Sequence, residues 1–278
     1  MINITAADVN KLRQMTGAGM MDCKKALQES EGDFEKAIDN LRKKGQKVAA
    51  KRADRDANEG IVLSKTTEDT TFAAVMMLNC ETDFVGKTPE FTRLAKDILD
   101  LGIKNRTKSP DELKGLKLNG ISIEEKLNEM LAKTGEKVQL THFEFIEAPV
   151  AFAYNHHGNR LATILGLNKK DAKNVSEIGH ELAMQIAAMN PIAIDKEDVT
   201  AEIIERELEI GREQARQEGK PEEMIEKIAT GKLSKFYRDS TLLNQDFVRD
   251  TKKSVRQYIA DHDKELKITA FKRLMLGA

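Results

Sequence analysis

The sequence predicts an α+β fold, and three observations lead there. The first 45 residues carry only helical periodicity, broken at glycines. From Gly60 onward, strands of period two alternate with amphipathic helices, and the second half of the chain repeats the plan of the first. The expected organisation is a three-helix docking module at 1–45, a basic linker helix at 46–59 and two related core units at 60–148 and 149–278. Antiparallel sheets flanked by helices form each core unit. The second unit carries an inserted helical hairpin, a coiled coil, at 199–238, and a closing helix–strand pair at 251–275.

The three short helices follow from their punctuation. Thr5-Ala6-Ala7-Asp8 is a capping-box pattern, with Ile4 and Val9 spaced as a hydrophobic staple. Val9, Leu12 and Met15 give the first helix its apolar face. Thr16-Gly17-Ala18-Gly19 then breaks the chain, and a second helix is expected to bury Met20, Cys23 and Leu27 before stopping at Gly32. Asp33 caps a third, in which Phe34, Ala37, Ile38 and Leu41 fall on one side, and Gly45 is expected to end it. Seven basic residues against one acid, Asp54, lie between Arg42 and Arg55. A solvated linker helix and a contact for an acidic partner or RNA both fit that stretch.

The core begins with Ile61-Val62-Leu63 pairing with an alternating strand through Phe72, Ala74, Met76, Leu78 and Cys80. Thr88-Pro89 opens a helix with Phe91, Leu94, Ala95, Ile98 and Leu99 inward. Ser122 to Glu125 is a second capping box, ahead of Leu127, Met130 and Leu131. The strand from Val138 to Ile146 changes phase between Leu140 and Phe143, which predicts a bulge.

The second unit opens with a hairpin through Phe152-Ala153-Tyr154 that turns at His157-Gly158-Asn159 and returns along Leu161 to Leu167. Leu182, Ala183 and Ile186 repeat Leu94, Ala95 and Ile98 at an offset of 88. Val138 to Phe143 is repeated by Leu266 to Phe271 at an offset of 128. The difference, 128 minus 88, is 40 inserted residues, and the charged stretch from Val199 to Arg238 supplies them. Thr200 caps its first helix, with Val199 and Ile204 as a staple; Gly219-Lys220-Pro221 turns it, and Met224, Ile225 and Ile228 line the return. Its thin apolar stripe suits partner contact, self-association or simple surface decoration.

Duplication also supplies a control. Thr82-Asp83-Phe84-Val85 aligns with Lys170-Asp171-Ala172-Lys173, so the fold is expected to tolerate a polar loop here. Packing beneath the loop would explain Phe84, yet the equivalent position manages with alanine. An aromatic on a loop held between a strand and a helix suits insertion into a partner.

Forty-five basic and 46 acidic residues leave a net charge of -1, which offers no overall field toward nucleic acid or membrane. Cys23 and Cys80 have neither metal-ligand nor redox spacing and read as buried thiols of a reducing compartment. The start, Met1-Ile2-Asn3-Ile4-Thr5, has no charged head or apolar run, and the longest apolar run, Phe72 to Leu78, has a strand's length. A cytoplasmic protein is expected. Gly17 and Gly19 follow a helix and not a strand, so they form no phosphate loop. His156 and His157 lack further ligands at metal spacing, and no serine or cysteine nucleophile sits in a recognisable elbow. Nothing points to an enzyme.

Two stretches carry a resemblance. Thr16-Gly17-Ala18-Gly19-Met20-Met21-Asp22-Cys23-Lys24-Lys25-Ala26-Leu27 resembles the amino-terminal signature of the bacterial elongation factor Ts family, and Asn79-Cys80-Glu81-Thr82-Asp83-Phe84-Val85 its second signature. The order of parts is similar throughout: ubiquitin-associated-like module, duplicated core, inserted coiled coil, C-terminal module. The resemblance implies guanine-nucleotide exchange on elongation factor Tu, GDP-bound or nucleotide-free, with no cofactor, covalent chemistry or direct nucleic-acid contact. It implies that Thr82, Asp83, Phe84 and Val85 enter the partner near its magnesium site. It further implies secondary contacts through Lys24 or Lys25, His157 and Val248. A homodimer and a 2:2 complex with the partner both stay open. Two positions depart from the family pattern: Thr134, where isoleucine is more usual before the glycine, and Arg249, where an apolar residue is common.

Overall fold

In the computed structural model, residues 4–52 and 54–277 are described, with the backbone alone for 46–51. The Met1–Asn3 start lies outside that description, as do Ala53 and the side chains of residues 46–51 in the Arg42–Arg55 basic stretch.

Thr5 and Asp8 form the expected reciprocal cap on α1 (Ala6–Thr16), and Gly17 ends it in the left-handed conformation. Helices α2 (Met20–Glu29) and α3 (Phe34–Lys51) close a small core of Val9, Leu12, Ala18, Cys23, Ala26, Leu27 and Ala37. Two expectations fail here. Met15 and Met20 are 58% and 57% exposed, because three short helices meeting at alanines enclose no volume for them. Gly45 does not end the third helix, which continues to Lys51. A Cβ at Gly45 would stand 3.4 Å from the Asn128 carbonyl oxygen and 3.5 Å from Ala132 Cβ. The glycine is thus where α3 crosses a core helix closely.

The first sheet has the order β1 (Glu59–Thr66), β2 (Phe72–Cys80), β5 (Gln139–Glu147), all antiparallel. Between β2 and β5 run the single turn α4 (Asp83–Gly86), then α5 (Pro89–Asn105) and α6 (Pro110–Gly115). The small ribbon β3 (Lys117–Leu118) and β4 (Ile121–Ser122) leads into α7 (Ile123–Thr134). Phe91, Leu94 and Ile98 of α5 and Leu127 of α7 pack on Phe72, Ala74, Met76 and Leu78.

The second sheet repeats the first with β6 (Val150–Asn155), β7 (Leu161–Leu167) and β10 (Ile268–Met275). Its helices are α8 (Val175–Met189) and α11 (Val255–His262), and the ribbon β8 (Asp246–Phe247) and β9 (Asp250–Ser254) precedes α11. The register shifts by one at Thr141 in β5 and at Thr269 in β10, positions related by the offset of 128. The duplication extends to its bulges.

Alternation in β2 suggests one buried face, but all nine residues are buried. The second sheet explains why. Val62, Ala73, Val75 and Met77 on the reverse of the first sheet pack against Ala151, Ala162 and Ile164 of the second. The order of layers is helix, sheet, sheet, helix. Asn155 locks the two sheets in place: its side chain accepts from Ser64 N at 2.6 Å and donates to Ser64 O at 2.8 Å.

The insertion is a helical hairpin, α9 (Ala201–Gln217) and α10 (Glu222–Ser240), closing on Gly211, Ala215, Ile225 and Ala229. Met224, expected in that stripe, faces solvent instead, since small residues bring the helices too close for it. Strand-like hydrogen bonds at the base, Ile192 N to Ser240 O and Leu242 N to Ala193 O at 2.9 Å each, return the chain to the core.

Candidate partner-docking site

Strand β2 ends at Cys80, and the next eight residues hold two helix caps in succession. Thr82 is extended and its hydroxyl accepts from Val85 N, which starts α4. Thr88 then caps α5, with Pro89 at the first helical position, and its hydroxyl donates back to Val85 O at 2.8 Å. Gly86 is buried beneath the turn, where a Cβ would lie 3.4 Å from both Cys80 Sγ and the Gly60 backbone. Within one helical turn, adjacent side chains point about 100° apart, which is enough to separate inward from outward. Val85 packs on the first core, while Phe84 is 82% exposed.

The duplicate shows what is particular to this turn. Ala172, which the sequence aligns with Phe84, is buried in the second core. It packs inward as Val85 does in the first unit, so the second loop is not purely polar and Phe84 has no counterpart there.

Charge surrounds the ring. Lys87 donates to the Asp83 carboxylate and holds it below the usual carboxylate range. Arg160 pairs with Glu59 at 2.5 Å, and its charge is further favoured by Asp83. Arg160 follows the hairpin turn bearing the exposed His157, and Asn159 O in that turn accepts from Val62 N at 2.7 Å. The second unit's hairpin thus reaches the edge of β1, beside the Phe84 turn. Lys24 and Lys25 are exposed on α2, Lys25 lying 3.9 Å from Glu29. The α1–α2 turn of that module meets the core at the start of α5: a Cβ on Gly17 would be 3.5 Å from the Lys133 side chain, and Lys133 pairs with Glu90 in the first turn of α5. Exposed Met15, Met20 and Met21 belong to the same module. Val248 lies on the other unit, exposed between β8 and β9, with its N–H held by buried Gln185 at 2.8 Å. Arg249 turns aside to pair with Glu181 at 2.9 Å.

Sequence reasoning passed over two carboxylates beneath the turn. Glu136 accepts from Thr82 N at 3.0 Å and from Thr82 Oγ1 at 2.7 Å. Glu81 accepts from Lys137 N and from Arg52 Nη1, each at 2.7 Å. The Lys137 N–H, with Arg52 adding to it, lowers the Glu81 carboxyl from its ordinary value against some desolvation. No spacing rule marks such residues, because their partners lie 29 to 56 positions away.

The family model described as Elongation factor TS matches residues 81–278 of this chain. The chain belongs to the elongation factor Ts family. Curated elongation factor Ts relatives extend the match to the amino terminus. The one from Flavobacterium psychrophilum is 49% identical over 277 residues, covering all of both chains. That from Cytophaga hutchinsonii is 48% identical over 278 residues, again covering both completely, and that from Amoebophilus asiaticus 48% over 275 residues, 99% of each. Membership of the elongation factor Ts family makes this an elongation factor of protein biosynthesis with an α+β fold. Among the described residues no helix is long and apolar enough to cross a membrane.

Proposed function

We propose that this chain is the guanine-nucleotide exchange factor for elongation factor Tu, and that the Asp83–Phe84 turn drives GDP release. The observation that carries the reading is the outward Phe84 on a turn fixed at both ends. A bare aromatic costs free energy in water and repays it only in a partner. Thr82 and Val85 hold the turn, Asp83 brings a carboxylate toward the partner's magnesium site, and Phe84 wedges beside it. Lys24 and Lys25 grip from the amino-terminal module, and His157 and Val248 from the second unit.

Such a mechanism needs no bond-making group. If GDP weakens binding of the factor, the factor weakens binding of GDP by the same ratio. Burying one phenylalanine fully is worth ~1.5–3 kcal/mol. Directed wholly to the nucleotide-free state, that loosens GDP by roughly 10- to 150-fold. Disturbing the magnesium, the largest local charge at a phosphate site, adds to it. Phe84→Ala is expected to slow stimulated release of a fluorescent GDP by at least about tenfold in stopped flow. Its melting temperature should stay unchanged because the ring makes no core contact. Unaltered release would refute the wedge.

A further inference from the structure

We infer that Glu136 is the positioning residue of the Phe84 turn, the centre of a bracket that ties it to the end of α7. The observations form a continuous hydrogen-bonded path. Thr134 Oγ1 donates to Met130 O at 2.9 Å, one turn back in α7, and accepts from Glu136 N at 3.2 Å. The Glu136 carboxylate then accepts hydrogen bonds from both the amide and the hydroxyl of Thr82. With its proton committed to Glu136, the Thr82 hydroxyl presents a lone pair to Val85 N, the contact that starts the turn bearing Phe84. Glu81 and Lys137 close the bracket in the opposite sense, so the segments 81–82 and 136–137 exchange carboxylates for each other's backbone N–H groups. Arg52, at the end of the amino-terminal module's long helix, reaches the same Glu81.

The path also gives Thr134 a role. Its hydroxyl fixes the backbone of the residue that fixes Thr82. Glu136 itself touches no partner in this scheme; it sets the direction of a ring two residues beyond its own ligand. Charge-assisted bonds to a backbone amide and a hydroxyl are among the stronger short-range restraints a surface turn has available.

Two measurements test the bracket, and only the second rests on the exchange reading. The chain has no tryptophan, so Phe84→Trp makes position 84 its sole reporter. On that background Glu136→Ala should lower the fluorescence anisotropy of the free protein. Glu136→Gln, whose amide can accept from Thr82 N and donate to Thr82 Oγ1, should restore it. In the native sequence Glu136→Ala should slow stimulated GDP release by about tenfold, ~1.4 kcal/mol. Added to Phe84→Ala it should slow release by less than about twofold further, because a mispositioned ring and an absent ring fail alike.

Unchanged anisotropy of the indole at position 84 in Glu136→Ala overturns the inference, as does an equal loss of rate with and without Phe84. Failure of Glu136→Gln to restore anisotropy also overturns it. If Glu136→Ala does not fold, by far-ultraviolet circular dichroism, Thr134→Val carries the anisotropy test, and equality with the parent overturns the bracket. Should Phe84→Ala leave release unchanged, the exchange reading fails alone and anisotropy still decides the bracket.

Discussion

Cys80 ends β2 directly beneath the Phe84 turn, with Sγ donating to Thr82 O at 3.1 Å. Burial first, then the nearby Glu136 and Glu59 carboxylates, push its thiol up to about 12. Burial likewise raises the Cys23 thiol in the amino-terminal core. Thiolate is the reactive form, so neither side chain presents one at neutral pH. In native protein at pH 8 a disulfide-exchange chromophore should find no fast-reacting thiol, and after guanidinium it should find both. A fast single equivalent would mean that the turn over Cys80 opens readily. At this scale Phe84 drew notice because the sequence alignment set it against Ala172, although Ala172 packs inward in the place of Val85. Val85 facing inward was not legible, since a one-turn helix leaves no periodicity to read. Nor was Glu136, whose meaning depends on Thr82, 54 positions earlier.

Glycines expose how differently the helices are packed. On α8, a Cβ at Gly179 would lie 2.3 Å from the ring of Phe152, inside β6. On α10, a Cβ at Gly231 would meet nothing within 4 Å. The same substitution should therefore act with opposite signs. Gly179→Ala is expected to destabilise by about 1–3 kcal/mol through overpacking, and Gly231→Ala to stabilise by up to about 1 kcal/mol through helix propensity. Urea midpoints with unchanged slopes would check both. Helix starts were legible wherever a threonine or serine cap stood at the right spacing, as at Thr5, Thr88, Ser122 and Thr200. Helix ends read from glycine were less so: Gly45 passes through a helix because its missing side chain admits α7, a reason invisible without the neighbour. Met15, Met20 and Met224 stand at helical spacing and still face water, because alanines and glycine draw the helices together ahead of them.

Over the whole molecule, the duplicated plan and the insertion were legible from offsets in sequence, but the meeting of the two sheets was not. Alternation in β2 describes its helix-facing side; Ala73, Val75 and Met77 between those positions are short or flexible apolar residues that fit a second sheet equally well. Because β1, β2, β6 and β7 share that interface, native-state hydrogen exchange should show them opening together at the global unfolding free energy. Helices α1 and α2, with their own small core, should exchange at lower cost. Separate free energies for the two sheets would contradict a common core. The interface has a further consequence for how such a chain arises. One repeat alone would leave Val62, Ala73, Val75 and Met77 bare, a surface that an identical copy could cover as a two-fold dimer. Fusion replaces that encounter by a tethered one, at effective concentrations on the order of millimolar. Once tethered, the halves no longer have to match, and each is free to specialise: one displays an aromatic turn, the other carries forty residues of hairpin.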